Sequence, residues 1–275
     1  MRLGGPVFTD CSDPEAWVAA LRGKGYGAAY WPVEEAQDVE AFRRAAERAG
    51  IVIAEVGAWS NPLSRDDAVR REAFNLCCRR LTLADAIGAR CCVNIAGSRG
   101  AKWDGPCAED LTAETFDLIV ETVQRIIDEV RPTRTFYALE PMPWMYPDSP
   151  DSYLELIKAV DRRRFAVHLD PVNLVSSPQR YFGNGALIRE CFRTLGPYVR
   201  SCHAKDVLLS DRLTVHLDEV RPGLGGLDYR AYLRELDKLD ADLPLMLEHL
   251  SAETDYDLAA AYVRSVAADI GVSIR

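Results

Sequence analysis

The stretch TFYALEPMPWMYPDSPDSYLELIKAVDRRRFAVHLDP, residues 135–171, indicates the class of fold. It begins with an apolar run (135–142), continues with a segment of helical periodicity (149–161) and ends with a second apolar run (164–171). Two buried strands separated by one helix indicate a βαβ unit, in which the two strands run parallel. The stretch therefore predicts an α/β fold.

The same alternation runs through the whole chain. Six further runs of strand character lie at 4–8, 27–32, 51–59, 90–97, 199–206 and 244–250, and helical patterns fill the intervals. Eight such units in this length average about 34 residues each, which is the size of a (β/α)8 TIM barrel unit. A doubly wound open sheet is the alternative, but the turn after the first strand, PVFTDCSDPE, lacks the glycines of that fold. We predict one (β/α)8 barrel domain over residues 1–275.

Composition narrows the classes of function. The chain is 48% hydrophobic, enough for a sizeable core, and its formal net charge of −9 disfavours nucleic acid or an anionic membrane as a partner. No apolar run reaches the roughly 18 residues that span a bilayer, and the N-terminus lacks the apolar segment of a signal peptide. We therefore expect a cytoplasmic protein. Its eight cysteines include no C-x-x-C pair and are typical of buried, reduced thiols.

Ionisable side chains are concentrated where four of the predicted strands end. They are Glu140 in the fifth, His168 and Asp170 in the sixth, His203 and Lys205 in the seventh, and Glu248 in the eighth strand. A polar group in an apolar strand is costly unless it is paired or binds a metal. The carboxyl ends of the strands also carry the active site of a TIM barrel, so we expect the functional site there.

Glu140, Asp170, His203 and Glu248 predict a metal site. They are separated by 30, 33 and 45 residues, about one βα unit each, so each returns to the same rim of the barrel. Any one of them alone could be an ordinary salt-bridged residue, but the shared spacing favours ligation. Three carboxylates and one imidazole suit Mn²⁺, our first choice, with Mg²⁺, Co²⁺ or a catalytic Zn²⁺ as alternatives.

The side-chain period of a strand places two more residues at this site. His168 shares a strand face with Asp170, and Lys205 shares one with His203, because residues two apart point to the same side. We expect both to contact substrate, although His168 could instead hold a metal ligand in place and Lys205 could pair with the next residue. Neighbouring residues alternate, so His249 is expected to face away from the glutamate before it.

Four residues in the predicted loops are further candidates for substrate binding. They are Asn173, Trp103, Trp144 and Arg221. Trp144 could stack on the apolar face of a sugar ring, and Trp103 could cover the pocket as part of a lid. The glycine-rich segment VRPGLGGLDY (220–229) could bind phosphate at the start of a helix, or it could simply connect to that helix and shape the pocket.

The segments YALEPMP, FAVHLDPVNLV, SCHAKD, VRPGLGGLDY and LMLEHL resemble those of the xylose-isomerase-like TIM barrels. The resemblance covers nearly the whole chain and implies a metal-dependent sugar isomerase or epimerase. It further implies that Glu140 and Glu248 also move protons, on opposite faces of a bound carbohydrate, through a metal-stabilised enediolate. Related barrels form dimers and tetramers, so a homo-oligomer is also implied.

The sequence departs from the ketose 3-epimerase pattern at Tyr146, Asn173 and Leu209, which leaves the sugar open. The same machinery could also act as a lyase or dehydratase by β-elimination on 3-keto-glycosides or inososes. A sugar-binding barrel without catalysis is a third alternative. A DNA-repair enzyme of the endonuclease IV type is disfavoured, because the chain has only four histidines and no positive net charge.

Overall fold

The computed structural model describes residues 1–32 and 38–275 of the chain. Eight strands close into a parallel barrel, in which they follow one another in chain order. These strands are β1 (Arg2–Gly4), β2 (Ala28–Tyr30), β3 (Val52–Gly57), β4 (Cys91–Asn94), β5 (Tyr137–Leu139), β6 (Phe165–Leu169), β7 (Val199–Ala204) and β10 (Pro244–Leu247). The last strand closes on the first, with Leu3 paired to Leu245. The predicted (β/α)8 barrel is confirmed.

Helices fill the intervals between the strands. They are α1 (Pro14–Gly23), α2 (Val39–Ala49), α3 (Asp67–Ile87), α4 (Ala113–Val130), α5 (Pro150–Val160), α6 (Pro178–Phe182), α7 (Asn184–Leu195), α8 (Tyr229–Leu236) and α9 (Glu253–Ile270). The sequence has a helical pattern over 33–50, and α2 within this interval begins at Val39; residues 33–37 lie outside the described chain. None of the helices that the structure describes combines the length and apolar character needed to cross a membrane.

Local signals explain why α5 begins and ends where it does. The Ser149 side chain accepts a hydrogen bond from the Ser152 backbone N–H, and Pro150 occupies the first turn, where it has no N–H to lose. The last residue of the helix is Val160, and Asp161, which follows it, has a φ of 46°. This left-handed residue stops the helix and turns the chain toward β6.

The chain forms two compact units. The first unit comprises residues 1–54, 170–196 and 201–275, and the second comprises 55–169 and 197–200. Small apolar residues form the inner core of each one. Ala28, Ala54 and Met246 pack together in the first unit, and Cys91, Val93 and Ala138 in the second. All eight cysteines are free thiols. Five are buried as predicted, whereas Cys11, Cys78 and Cys107 are half-buried.

Two strand predictions needed correction. The first strand was predicted at 4–8 but lies at Arg2–Gly4, because Arg2 pairs with Pro244 and Gly4 with Met246. Residues 5–8 therefore follow the strand and lie beyond its carboxyl end. The predicted seventh strand (199–206) ends at Ala204, and an unpredicted antiparallel hairpin follows it, made of β8 (Asp206–Leu209) and β9 (Leu217–Val220).

Candidate metal centre

The four residues predicted to bind a metal come together. Glu140, Asp170, His203 and Glu248 each offer one ligand atom, and these atoms lie within 4.8 Å of one another. Within the first unit, His203 Nδ1 is 2.9 Å from Glu248 Oε2 and 3.6 Å from Asp170 Oδ2. Three of the four residues are buried, whereas the Glu248 side chain is 15% exposed. The cluster is thus rich in carboxylate oxygen and accessible on one side.

The turn after β6 orients the Asp170 carboxylate. Its Oδ1 accepts hydrogen bonds from the backbone N–H groups of Val172 (2.9 Å) and Asn173 (3.4 Å). An aspartate that binds the backbone two residues on forms a tight turn with little freedom. One oxygen is therefore held by the chain, and Oδ2 faces His203 and Lys205.

Lys205 places a buried positive charge against two of these carboxylates. Its side chain is 2% exposed, and Nζ lies 3.0 Å from Asp170 Oδ2 and 2.8 Å from Glu248 Oε2. Burial alone would raise the pKa of Asp170, but Lys205 and His203 hold this pKa well below its usual range. Burial opposes them at Glu248 too, yet His203 and Lys205 lower its pKa to about 2. Both carboxyl groups are therefore ionised at neutral pH.

Asp206 points away from Lys205 and anchors the glycine-rich loop. Its carboxylate accepts hydrogen bonds of 2.9–3.1 Å from the backbone N–H groups of Val207, Gly223, Gly225 and Leu227. A Cβ on Gly225 would lie 2.3 Å from Asp206 Oδ1, so only glycine fits there. The three loop N–H groups that could have bound phosphate already bind the chain's own carboxylate. These contacts disfavour phosphate binding by the three N–H groups, and a role of the loop in shaping the pocket stays a prediction.

The expectation that His249 faces away from Glu248 is wrong. Its Nε2 lies 3.4 Å from Glu248 Oε1, and its Nδ1 lies 3.2 Å from Glu219 Oε1 and 3.3 Å from Lys205 Nζ. Strand β10 ends at Leu247 and His249 has a φ of 58°, so the alternation of a strand does not extend to it. The hydrogen bond to Glu219 raises the pKa of His249. Sequence reasoning missed Glu219, because it lies on the unpredicted hairpin.

In the second unit, a buried histidine–glutamate contact explains the histidine of the sixth strand. His168 Nε2 lies 2.7 Å from Glu55 Oε2, and both side chains are at most 2% exposed. Sequence reasoning also missed Glu55, although a carboxylate inside the apolar strand VIAEVG is a signal of the same kind as His168. The contact favours the alternative in which His168 is held by the protein and itself supports the site.

The four candidate residues in the predicted loops lie in different surroundings. Trp144 Nε1 donates a hydrogen bond to the Asp104 carbonyl (2.9 Å), and both Trp144 and Trp103 remain more than one third exposed. The Arg221 guanidinium lies 3.7 Å from Asp255 Oδ1, at the start of α9. Asn173 is half-buried in the turn described above. The binding roles of these residues stay predictions.

Comparison with known proteins agrees with this architecture. The sequence model of one family, the xylose isomerase-like TIM barrel, matches residues 17–266. A search of curated proteins finds no significant match.

Several solved structures share the fold at low sequence identity. A xylose isomerase-like TIM barrel protein from Mycobacterium smegmatis, in complex with magnesium, has a TM-score of 0.65 and 18% identity, over 93% of this chain and 87% of that one. D-psicose 3-epimerase from Clostridium cellulolyticum H10 has a TM-score of 0.71 and 14% identity, over 99% and 100%. The probable 3-DHS dehydratase AsbF from Bacillus anthracis has a TM-score of 0.71 and 16% identity, over 96% and 97%.

Proposed function

Because the chain belongs to the xylose isomerase-like TIM barrel family, we propose that it is a divalent-metal-dependent sugar isomerase or epimerase. The observation that carries the proposal is the set of three carboxylates and one imidazole whose ligand atoms lie within 4.8 Å. The fold shared with D-psicose 3-epimerase and with a magnesium-bound barrel is consistent with it.

Glu140, Asp170, His203 and Glu248 are the residues that would hold the ion. Among the described residues, Asp170 Oδ2 and Glu248 Oε2 are buried and accept no hydrogen bond of regular geometry, although Lys205 and His203 lie at ion-pair distance. These oxygens fit a hard divalent cation such as Mn²⁺ or Mg²⁺, with Co²⁺ or Zn²⁺ as alternatives. When bound, such an ion polarises a carbonyl group and stabilises negative charge that develops on its oxygen.

The side chains of the centre would carry out the proton transfer. Glu248, which is ionised and partly accessible, removes a proton from the carbon next to a substrate carbonyl. Lys205 supplies a buried positive charge beside the negative charge that develops. Glu140, which must enter the step as the carboxylic acid, then donates its proton to the carbanion and is left as the carboxylate. Return to the opposite face of the same carbon gives an epimer, and return to the former carbonyl carbon gives an isomer.

A lyase is the second candidate, favoured by the fold shared with the probable dehydratase AsbF. Loss of the same proton next to a ketone allows a substituent at the β position to leave with its bonding electrons. An inosose would lose water by this route, and a 3-keto-glycoside would lose its aglycone. The two candidates share the base and differ only in whether the carbanion is reprotonated or eliminates.

The test is deuterium exchange in D₂O with three substrate classes: ketoses, inososes and 3-keto-glycosides. The Mg²⁺-loaded protein should introduce deuterium next to the carbonyl of at least one class, as measured by proton NMR, and EDTA should stop the exchange. An accompanying epimer or isomer would support the first candidate, and an eliminated product the second. Tight metal binding without exchange in any class would contradict both and favour a binding barrel.

A further inference from the structure

A second concave site lies in the first unit, beyond the carboxyl ends of β1 and β2. It is a cavity of about 160 Å³, lined among others by Gly5, Val7, Trp17, Leu21, Tyr30 and Trp31. No charged side chain is among the described residues that line it. An apolar cavity of about 150 Å³ is large enough to bind benzene, so this one has room for a single six-membered ring.

The tryptophans of the cavity wall pack against an aromatic ring that does not line the cavity. Trp17 and Trp31 both pack against Phe42 of α2, with ring centroids 5.7 and 5.5 Å apart. Trp17 is buried, whereas Trp31 and Val7 are half-buried and form part of an open rim. The site is thus formed before any ligand arrives, which lowers the cost of binding.

The cavity adjoins the metal centre through one residue of β10. The Tyr30 hydroxyl donates a hydrogen bond to the Leu247 carbonyl (3.1 Å). A Cβ built on the lining residue Gly5 would lie 3.4 Å from Leu247 Cβ, so the backbone of Gly5 also lies beside Leu247. Leu247 directly precedes Glu248 in the chain. A substrate whose reacting carbon lies at Glu248 can therefore extend a substituent toward the cavity.

We propose that the cavity binds a neutral, ring-sized apolar substituent of the substrate. The substrate would then be a sugar derivative that carries such a ring, for example an aryl 3-keto-glycoside, and not a free ketose. Sugar hydroxyls need polar partners, and the lining offers few. Among the described residues, no acceptor meets the buried Trp31 Nε1–H, which could bind the oxygen that links ring and sugar. This inference rests on the proposed function.

The first test measures the cavity itself, with phenol as the probe. The full-length chain has five tryptophans, so its ¹⁵N-labelled form gives five indole N–H signals, of which Trp31→Phe identifies one. Phenol should shift the Trp31 signal saturably, and Val7→Trp, which fills the cavity, should abolish the shift. An unsaturable shift, or the same shift at every indole, would overturn the proposal.

The second test compares phenyl and methyl 3-keto-β-D-glucopyranoside by deuterium exchange. The phenyl compound should have a kcat/KM at least about tenfold higher, since apolar pockets discriminate by such factors. Trp31→Ala and Val7→Trp should each remove this preference. Phe182→Ala, a truncation of a 78% exposed ring, should keep the preference and serves as the control.

The outcomes separate this inference from the proposed function. Exchange of both glycosides without a phenyl preference would overturn the inference and leave the proposed reaction standing. A saturable phenol shift at Trp31 without exchange of either glycoside would support the cavity as a ring-binding site and contradict the proposed reaction.

Discussion

Two neighbouring regions of the first unit lie on either side of β10 and have opposite chemistry. On one side, Asp170, His203, Lys205 and Glu248 form a network of buried charges with distances of 2.8–3.6 Å. On the other side, a cavity lined by tryptophan, tyrosine, proline and leucine has no charged lining residue among those described. The first region suits a polar reacting group, and the second suits an apolar appendage.

The charged region and the apolar cavity are stabilised by different interactions. A buried charge is tolerated only while its partners are present, so each member of the network depends on the others. An aromatic wall is held by packing area, so truncating one ring removes packing contacts but leaves no unpaired charge. We therefore expect substitutions in the charged network to change function and stability sharply, and those around the cavity to change selectivity.

The largest effect is expected from Glu248→Gln. The amide keeps the shape but cannot accept the substrate proton, so the exchange rate should fall by about 10²–10⁴-fold, the usual contribution of a general base. Deuterium incorporation by NMR measures this rate. Glu253→Gln, at the exposed start of α9, is the matched control and should retain the rate. Equal rates in both variants would exclude Glu248 as the base.

Lys205→Met should strongly destabilise the metal-free protein. It removes the ammonium from two buried carboxylates, and breaking a buried ion pair costs about 3–5 kcal/mol of unfolding free energy. Urea denaturation followed by circular dichroism measures this free energy. Lys238→Met breaks an exposed pair with Glu235 and should cost at most about 1 kcal/mol. A similar small loss for Lys205→Met would contradict the network.

Gly225→Ala tests the anchoring of the glycine-rich loop by Asp206. The new Cβ would lie 2.3 Å from Asp206 Oδ1 and 2.4 Å from the Val207 carbonyl oxygen, so the loop must shift. We expect a loss of about 1–3 kcal/mol, as for other overpacked sites. Gly23→Ala, at the end of α1 where nothing lies within 4 Å, is the control in the same denaturation experiment and should not lower the unfolding free energy. A neutral Gly225→Ala would show that the loop is not held as described.

The smallest effect is a pH dependence of stability that arises from Glu248. Its pKa of about 2 lies below the value of about 4.3 expected in the unfolded chain. The stabilisation is therefore fully present above about pH 4.3 and is lost as the pH falls through about 2. Denaturation at pH 5, 4 and 3 should show this decline, and Glu248→Gln should show a shallower one. Identical slopes would contradict the depressed pKa.

The sequence predicts the barrel, which the structure confirms, and four candidate ligands, whose binding of a metal stays a prediction. Both predictions depend on short-range regularities. An apolar run marks each strand, and the intervals of 30, 33 and 45 residues return Glu140, Asp170, His203 and Glu248 to one rim. The carboxyl end of a strand then fixes where a polar side chain lies, and no detail of packing is needed.

The rest of the site depends on contacts between distant residues. Glu55 meets His168 across 113 positions, and no local pattern pairs them. The hairpin β8–β9, which brings Glu219 to His249, has mostly half-buried and exposed residues and so lacks the apolar signal of a barrel strand. His249 has a left-handed backbone conformation but is not a glycine, so the sequence does not indicate this conformation. These features arise from tertiary packing, which overrides local propensity.

We propose that Glu140, Asp170, His203 and Glu248 bind one divalent ion, and a titration of the purified, EDTA-treated protein with Mn²⁺ checks this proposal. Isothermal calorimetry should give one ion per chain for the wild type, with binding lost in Asp170→Asn and retained in Asp257→Asn, an exposed control. Equal affinity in the wild type and in Asp170→Asn, or no binding in the wild type, would contradict the account.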